Sequence, residues 1–81
     1  MEVTQNTPPL PVLIKQLVAQ YFVQLEGHDA VDLYAMVLSE VEKPLLEATL
    51  EQVGYNQSKA AKALGLSRST LRKKLAQYGL S

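Results

Sequence analysis

The residues best suited to chemistry in this chain are basic, and they lie in its last third. Residues 54–81 contain six of them and no acid: Lys59, Lys62, Arg68, Arg72, Lys73 and Lys74. Residues 1–53 contain all eight acids and only Lys15 and Lys43, so the two parts carry formal charges of −6 and +6 although the whole chain is neutral. So complete a separation of charge indicates an anionic partner for the C-terminal part.

No set of residues is typical of a catalytic or metal-binding site. The chain has no Cys, which excludes disulfides and thiolate ligands, and His28 is its only histidine. Two carboxylate pairs on the second predicted helix either diverge or face solvent: Glu40 with Glu42, and Glu47 with Glu51. The glycines lack the spacing of a phosphate-binding loop. We therefore predict a protein that is not an enzyme and that uses neither a cofactor nor a metal.

The glycines indicate where the elements end. Each of the four follows a segment with helical periodicity, and glycine commonly ends a helix because it adopts the left-handed conformation cheaply. They are Gly27, Gly54, Gly65 and Gly79. We predict an all-α fold with four helices, over about residues 10–25, 33–53, 57–64 and 68–78. Residues 1–9 are polar and rich in proline and are predicted to be a disordered tail.

The first two helices carry more apolar surface than one small chain can bury. The first has a single apolar stripe within residues 14–25, but the second is apolar around most of its circumference. A domain of 81 residues without disulfides or metal needs additional stabilisation. We therefore expect a homodimer in which a second copy covers the surplus. Pro44 lies inside the second helix, where its missing amide should produce a kink.

The last two helices have the form of a helix-turn-helix. Asn56 and Ser67 stand in N-cap position before them, and three residues that include Gly65 connect them. Small residues at Ala60 and Ala61 would let the two helices cross closely. Residues 54–81 are therefore predicted to form a DNA-binding region, with residues 10–53 as dimerisation helices of the same domain.

The side of the last helix opposite Leu71 and Leu75 is predicted to enter the major groove of duplex DNA. It carries Arg68, Ser69, Arg72 and Lys73. Three further residues have a structural interpretation as helix caps or first-turn residues and a functional one as phosphate donors: Asn56, Ser58 and Thr70. Ser67 is expected to cap its helix, whereas Lys59 and Lys74 are expected to contact the DNA backbone. Lys62 has the plain interpretation of a solvated side chain.

Five segments resemble the Fis family of bacterial nucleoid-associated transcription regulators: residues 20–22, 32–34, 37–46, 56–61 and 64–75. The resemblance implies a homodimer whose first two helices interlock into a core, with a helix-turn-helix at each end that binds and bends double-stranded DNA. It also implies that Arg68 recognises a guanine and that Ser67, where the family has Asn, adds a DNA contact. The helix-turn-helix half alone is equally similar to the C-terminal domains of NtrC-type activators, but the helix containing Pro44 favours Fis.

Departures from the family pattern modify these expectations. Enteric members have an N-terminal hairpin that activates DNA inversion, and nine residues before the first helix are too few to form it. Ala76 and Gln77 replace lysines, which should weaken phosphate binding. Gly54 and Tyr55 occupy a turn that is often basic-Gly in the family, so a contact with RNA polymerase there is left open.

Two other functions remain to be weighed against this one. The first is the excised C-terminal domain of an NtrC-type activator, and the second is a helical dimer whose basic end binds an acidic protein. No apolar run approaches the roughly 18 residues that span a bilayer, and the N-terminus has no signal peptide. We therefore expect a soluble cytoplasmic protein, associated with the nucleoid and without a membrane partner.

Overall fold

The computed structural model describes residues 8–80, which contain four α-helices and no strand. They are α1 (Leu10–Leu25), α2 (Leu33–Gln52), α3 (Gln57–Leu64) and α4 (Arg68–Gln77). The all-α class and the four predicted helices are confirmed, with ends within a residue or two of those expected. Pro8 and Pro9 precede α1, and the rest of the predicted tail lies outside the described residues.

The chain divides into two units, residues 1–32 and residues 33–81. The first unit contains α1, which begins after Pro9 and ends at Glu26, where a left-handed backbone (φ 52°) directs the amide to the Val23 carbonyl. No residue of α1 is buried. Its predicted apolar stripe is half-buried except for Phe22, which is 50% exposed.

The core of the second unit joins the C-terminal part of α2 to α3 and α4. Six buried residues form it: Leu46, Leu50, Ala60, Ala61, Leu71 and Leu75. The two alanines are almost fully buried because their small side chains let α3 pack closely, as expected from the sequence. Burying each leucine contributes roughly 1.5–3 kcal/mol relative to exposure. The division of charge after Val53 therefore falls inside one packed unit, since the end of α2 belongs to the core of the helix-turn-helix.

The N-terminal part of α2 is much less covered than its C-terminal part. The buried residues of α2, Leu46 and Leu50, both lie in its C-terminal half, whereas Tyr34 and Leu38 in its N-terminal half are 79% and 47% exposed. The helix is continuous from Leu33 to Gln52 with Pro44 inside it. The kink expected at Pro44 stays a prediction.

Candidate nucleic-acid interface

The turn between α3 and α4 has the geometry that a helix-turn-helix requires. Gly65 ends α3 in the left-handed region, with φ 75°. Its amide donates to the Lys62 carbonyl at 3.2 Å, and the next amide, of Leu66, donates to the Ala61 carbonyl at 2.9 Å. A Cβ at Gly65 would meet no atom within 4 Å, so the backbone conformation and not a lack of space favours glycine there.

Both helices of the motif begin at a side-chain cap. Asn56 Oδ1 accepts a hydrogen bond from the Lys59 amide at 3.1 Å, and Ser67 Oγ accepts one from the Thr70 amide at 3.1 Å. The predicted capping roles of Asn56 and Ser67 are confirmed. Ser67 Oγ also donates to Thr70 Oγ1 at 2.9 Å, which orients that hydroxyl within the first turn of α4. Backbone amides exposed at a helix start and a positive dipole end favour anions there.

The outer face of α4 is charged and accessible. Leu71 and Leu75 are fully buried on the inner side, and this orients Arg72 and Lys73 outward. Four of the predicted contact residues lie exposed on the outer side: Arg68, Ser69, Arg72 and Lys73. A fifth, Thr70, is half-buried. The face thus carries three cationic side chains within two turns of helix, and residues 54–81 contain no acid to offset them.

The start of α3 extends this surface. Asn56, Ser58 and Lys59 are all exposed there. Between the start of α3 and the outer face of α4 lies an open depression of about 450 Å³, lined by Gln57, Arg72, Lys73 and Ala76. Gln57 was not among the predicted contact residues, although Gln57 directly follows the cap residue Asn56. Ala76, at a position where the resemblance expects lysine, contributes only a short side chain to the lining.

Among contacts within residues 8–80, Lys74 is the one predicted contact residue whose charged group forms an ion pair. Its Nζ donates to Glu42 Oε2 at 2.7 Å, and Tyr78 Oη donates to Glu42 Oε1 at 2.6 Å. The hydrogen bond from Lys74, followed by the one from Tyr78, holds the pKa of Glu42 below its ordinary value. The same carboxylate raises the pKa of Tyr78 by accepting a hydrogen bond from its hydroxyl, which favours the protonated phenol. This contact between Glu42 and Lys74 was not predicted from the sequence, because 32 residues separate the two.

The fold and this surface define a helix-turn-helix protein. Residues 37–78 match the family described as "Bacterial regulatory protein, Fis family". The chain is 52% identical over 73 residues to DNA-binding protein Fis of Actinobacillus succinogenes, covering 90% of this chain and 74% of that protein. It is 48% identical over 80 residues to the proteins of the same name from Proteus mirabilis and Yersinia enterocolitica, covering 99% of this chain and 80% of each. The chain belongs to the Fis family.

This membership confirms the resemblance seen in the sequence. The matches extend over α1 and α2 as well as the helix-turn-helix, and this favours the Fis family over the C-terminal domain of an NtrC-type activator. A family of regulatory proteins also agrees with the interpretation of the chain as a regulator rather than an enzyme. Within residues 8–80, none of the helices combines the length and apolar character needed to cross a bilayer.

Proposed function

We propose that this protein is a nucleoid-associated regulator of transcription that binds double-stranded DNA as a homodimer and bends it. The observation that carries the proposal is the cationic outer face of α4, with Arg68, Arg72 and Lys73 exposed on a helix that begins at a confirmed cap. The relatives' printed name, DNA-binding protein Fis, supports DNA as the anion that this face meets. Cytoplasmic localisation on the nucleoid follows from that partner.

The proposed contacts divide by chemistry. Arg68 begins α4 and enters the groove first, where its guanidinium can pair bidentately with a guanine edge. Arg72 lies one turn later on the same face and reaches a base edge or the inner backbone. Lys73 binds phosphate as a point charge, and Ser69 and Thr70 add hydroxyl donors near the start of α4.

A second group of contacts surrounds the two helix starts. Asn56 and Ser67 use their side-chain oxygens as caps, but the Asn56 amide nitrogen can still donate to a phosphate. Ser58 and Lys59, in the first turn of α3, bind the phosphate backbone of the adjacent DNA strand, because the helix dipole favours an anion there. Lys74 was also predicted to contact the backbone, but its bond to Glu42 argues for an indirect role.

The homodimer is supported by the apolar residues that one chain leaves exposed. They occur on α1 and on α2: Leu10, Val12, Leu13, Phe22, Val23, Tyr34, Leu38 and Leu45. Large apolar side chains exposed in such numbers on a helix are typical of protein association. Two copies would present two recognition helices to successive major grooves, and a mismatch between their separation and the DNA repeat would be relieved by bending.

The turn before α3 is the surface proposed for a contact with RNA polymerase. Tyr55 is 68% exposed in the turn before α3 and has a positive φ of 65°, which a non-glycine residue adopts at a cost. This exposed turn is where such a contact would form.

The test is a mobility-shift titration of the full chain against random duplex DNA at two salt concentrations. We expect binding that weakens steeply with salt, because cationic side chains release counterions from the DNA. Arg72→Ala should weaken binding, whereas Lys15→Ala, which removes the same charge from α1, should not. Failure of the wild type to bind duplex DNA, together with capture of an acidic protein by the same face, would favour the helical protein-binding dimer.

A further inference from the structure

The two ends of α4 are held in different ways. Its N-terminal end is closed by Ser67 through local hydrogen bonds. Its C-terminal end is tied to a distant part of the chain, since Glu42 precedes Lys74 by 32 residues and Tyr78 by 36. Both carboxylate oxygens of Glu42 are used, one by an ammonium and one by a phenol.

We call the two hydrogen bonds that Glu42 accepts from Lys74 and Tyr78 the Glu42 tether. The positions of these three residues on their helices explain how the tether acts. Glu42 lies one turn before Leu46 on α2, so both face the same way, and Lys74 and Tyr78 each follow a buried leucine of α4 by three residues. Leu46, Leu71 and Leu75 are part of one buried cluster. An apolar contact of this kind is non-directional and by itself permits α4 to rotate or tilt. The hydrogen bonds of Glu42 lie beside the cluster and restrict that motion.

The same bonds compensate the charge of Lys74. Its ammonium lies 2.7 Å from the Glu42 carboxylate, and the two side chains are only 32% and 28% exposed. A phosphate that approached Lys74 would meet a carboxylate beside it, or would have to displace that carboxylate. The pair therefore contributes little attraction for a polyanion, unlike the exposed neighbour Lys73.

We propose that Glu42 is a positioning residue of the DNA interface: it holds Lys74 and Tyr78 against α2, keeps Lys74 out of the phosphate contacts and fixes the angle at which α4 presents Arg68 and Arg72. This inference rests on the proposed function, because it concerns the same surface. In a homodimer, fixing α4 on α2 in each copy also fixes the separation of the two recognition helices. The tether thereby contributes to the choice of half-site spacing.

The first test compares two adjacent lysines by the salt dependence of DNA binding. The slope of log K against log salt is negative, and each lost phosphate contact reduces its magnitude by about 0.9. We expect Lys73→Met to reduce this magnitude by about that amount per chain and Lys74→Met to leave it unchanged. A decrease for Lys74→Met equal to that for Lys73→Met would overturn the inference.

The second test measures spacing discrimination, the ratio of affinities for a preferred duplex and for the same duplex with one base pair inserted at its centre. We expect Glu42→Gln and Lys74→Met each to reduce this ratio severalfold. The exchange variant Glu42→Lys/Lys74→Glu, which restores an ion pair of opposite polarity, should recover most of it, whereas Glu42→Lys alone should not. A ratio that stays at the wild-type value in both single variants would overturn the positioning role.

Circular dichroism melting of each variant is the folding control, and only variants that are folded at the temperature of the binding measurement are compared. The exchange variant provides a second safeguard, because recovery cannot be explained by a loss of stability. If the wild type binds duplex DNA and the variants behave contrary to expectation, this inference alone fails. If the wild type does not bind duplex DNA, the proposed function fails as well.

Discussion

The N-terminal helices and the helix-turn-helix differ in how much of their apolar surface is buried within one chain. In residues 33–81, the end of α2 closes a core with α3 and α4, and Leu71 and Leu75 are fully buried. In α1 no residue is buried, and the first half of α2 leaves Tyr34 and Leu38 exposed. The helix-turn-helix region buries its core leucines within a single chain, whereas the N-terminal helices leave large apolar side chains exposed.

The difference shows which kind of partner each region requires. A region with a closed core exposes its polar side chains. In the helix-turn-helix these side chains are cationic, so the partner of this region is expected to be an anion. An open apolar face is unfavourable in water and requires another apolar face. The separation of formal charge into −6 and +6 does not coincide with this division, because the four acids of α2 belong to the same unit as the helix-turn-helix: Glu40, Glu42, Glu47 and Glu51. Acids are absent only from residues 54–81, the part expected to bind DNA.

The largest expected effect comes from opening the closed core. Leu71→Ala removes a fully buried side chain at the centre of the helix-turn-helix and should destabilise the fold by about 2–5 kcal/mol. The measurement is urea unfolding followed by circular dichroism, at a fixed protein concentration. Leu66→Ala, at a half-buried position of the connecting turn, is the control and should cost distinctly less. Equal losses for the two variants would mean that the core is not where the structure places it.

The next effect concerns the charged face. Arg68→Ala should cost about 1–3 kcal/mol of DNA binding per subunit and flatten the preference for guanine at two symmetric positions. Selection from a randomised duplex library measures both quantities. Lys73→Ala is the control, because loss of a phosphate contact should weaken all sequences alike. An Arg68→Ala variant that keeps the wild-type preference would remove Arg68 from base recognition.

The open face is tested by introducing charge into it. Leu38→Asp places a carboxylate on a residue that is 47% exposed in the single chain and should raise the dissociation constant of the dimer at least tenfold, about 1.4 kcal/mol. Sedimentation equilibrium over a dilution series gives that constant, with Glu40→Asp as the matched exposed control. The wild type should not accumulate folded monomer on dilution. A helical wild-type monomer at micromolar concentration would contradict the obligate dimer.

The smallest effect is the pH dependence of the Glu42 tether. The pKa of Glu42 is lowered from 4.5, so its contribution to stability is complete above that ordinary value and is lost as the pH falls through the lowered pKa. The pKa of Tyr78 is raised from 10.0, so its contribution is complete below 10 and is lost as the pH rises through the raised pKa. Partly exposed ion pairs contribute less than about 1 kcal/mol.

Thermal melting of wild type and Glu42→Gln as a function of pH measures this contribution. The difference between them should be largest at neutral pH and shrink toward the acidic end. The melting of Tyr78→Phe relative to the wild type should likewise differ least in strong alkali. A difference that is constant across the range would show that the tether contributes nothing that depends on ionisation.

Much of the fold was predictable because it is encoded locally. Helix periodicity, the capping residues Asn56 and Ser67 and the glycine at position 65 each act within a few residues, so reading along the chain located all four helices and the turn. The outer face of α4 followed from the same periodicity, since Leu71 and Leu75 determine which side is turned inward.

Contacts between distant residues were not predictable in this way. Gln57 lines the depression beside Arg72 only because α3 and α4 cross, and no pattern along the chain pairs those positions. Glu42 was considered only as a carboxylate that diverges from Glu40, and Lys74 was predicted to contact the DNA backbone. Neither prediction paired one residue with the other.

The sequence by itself determined the helices, the helix-turn-helix and the concentration of positive charge in residues 54–81, because periodicity, capping and charge depend on residue type and near neighbours. The tertiary structure alone decided which charges face outward and which are compensated within the unit. Lys73 and Lys74 are adjacent and chemically identical, yet one is exposed and the other donates to Glu42 at 2.7 Å. The physical reason is that successive helix positions diverge by about 100°, so the packing of α4 on α2 turns one ammonium toward solvent and the other toward a carboxylate.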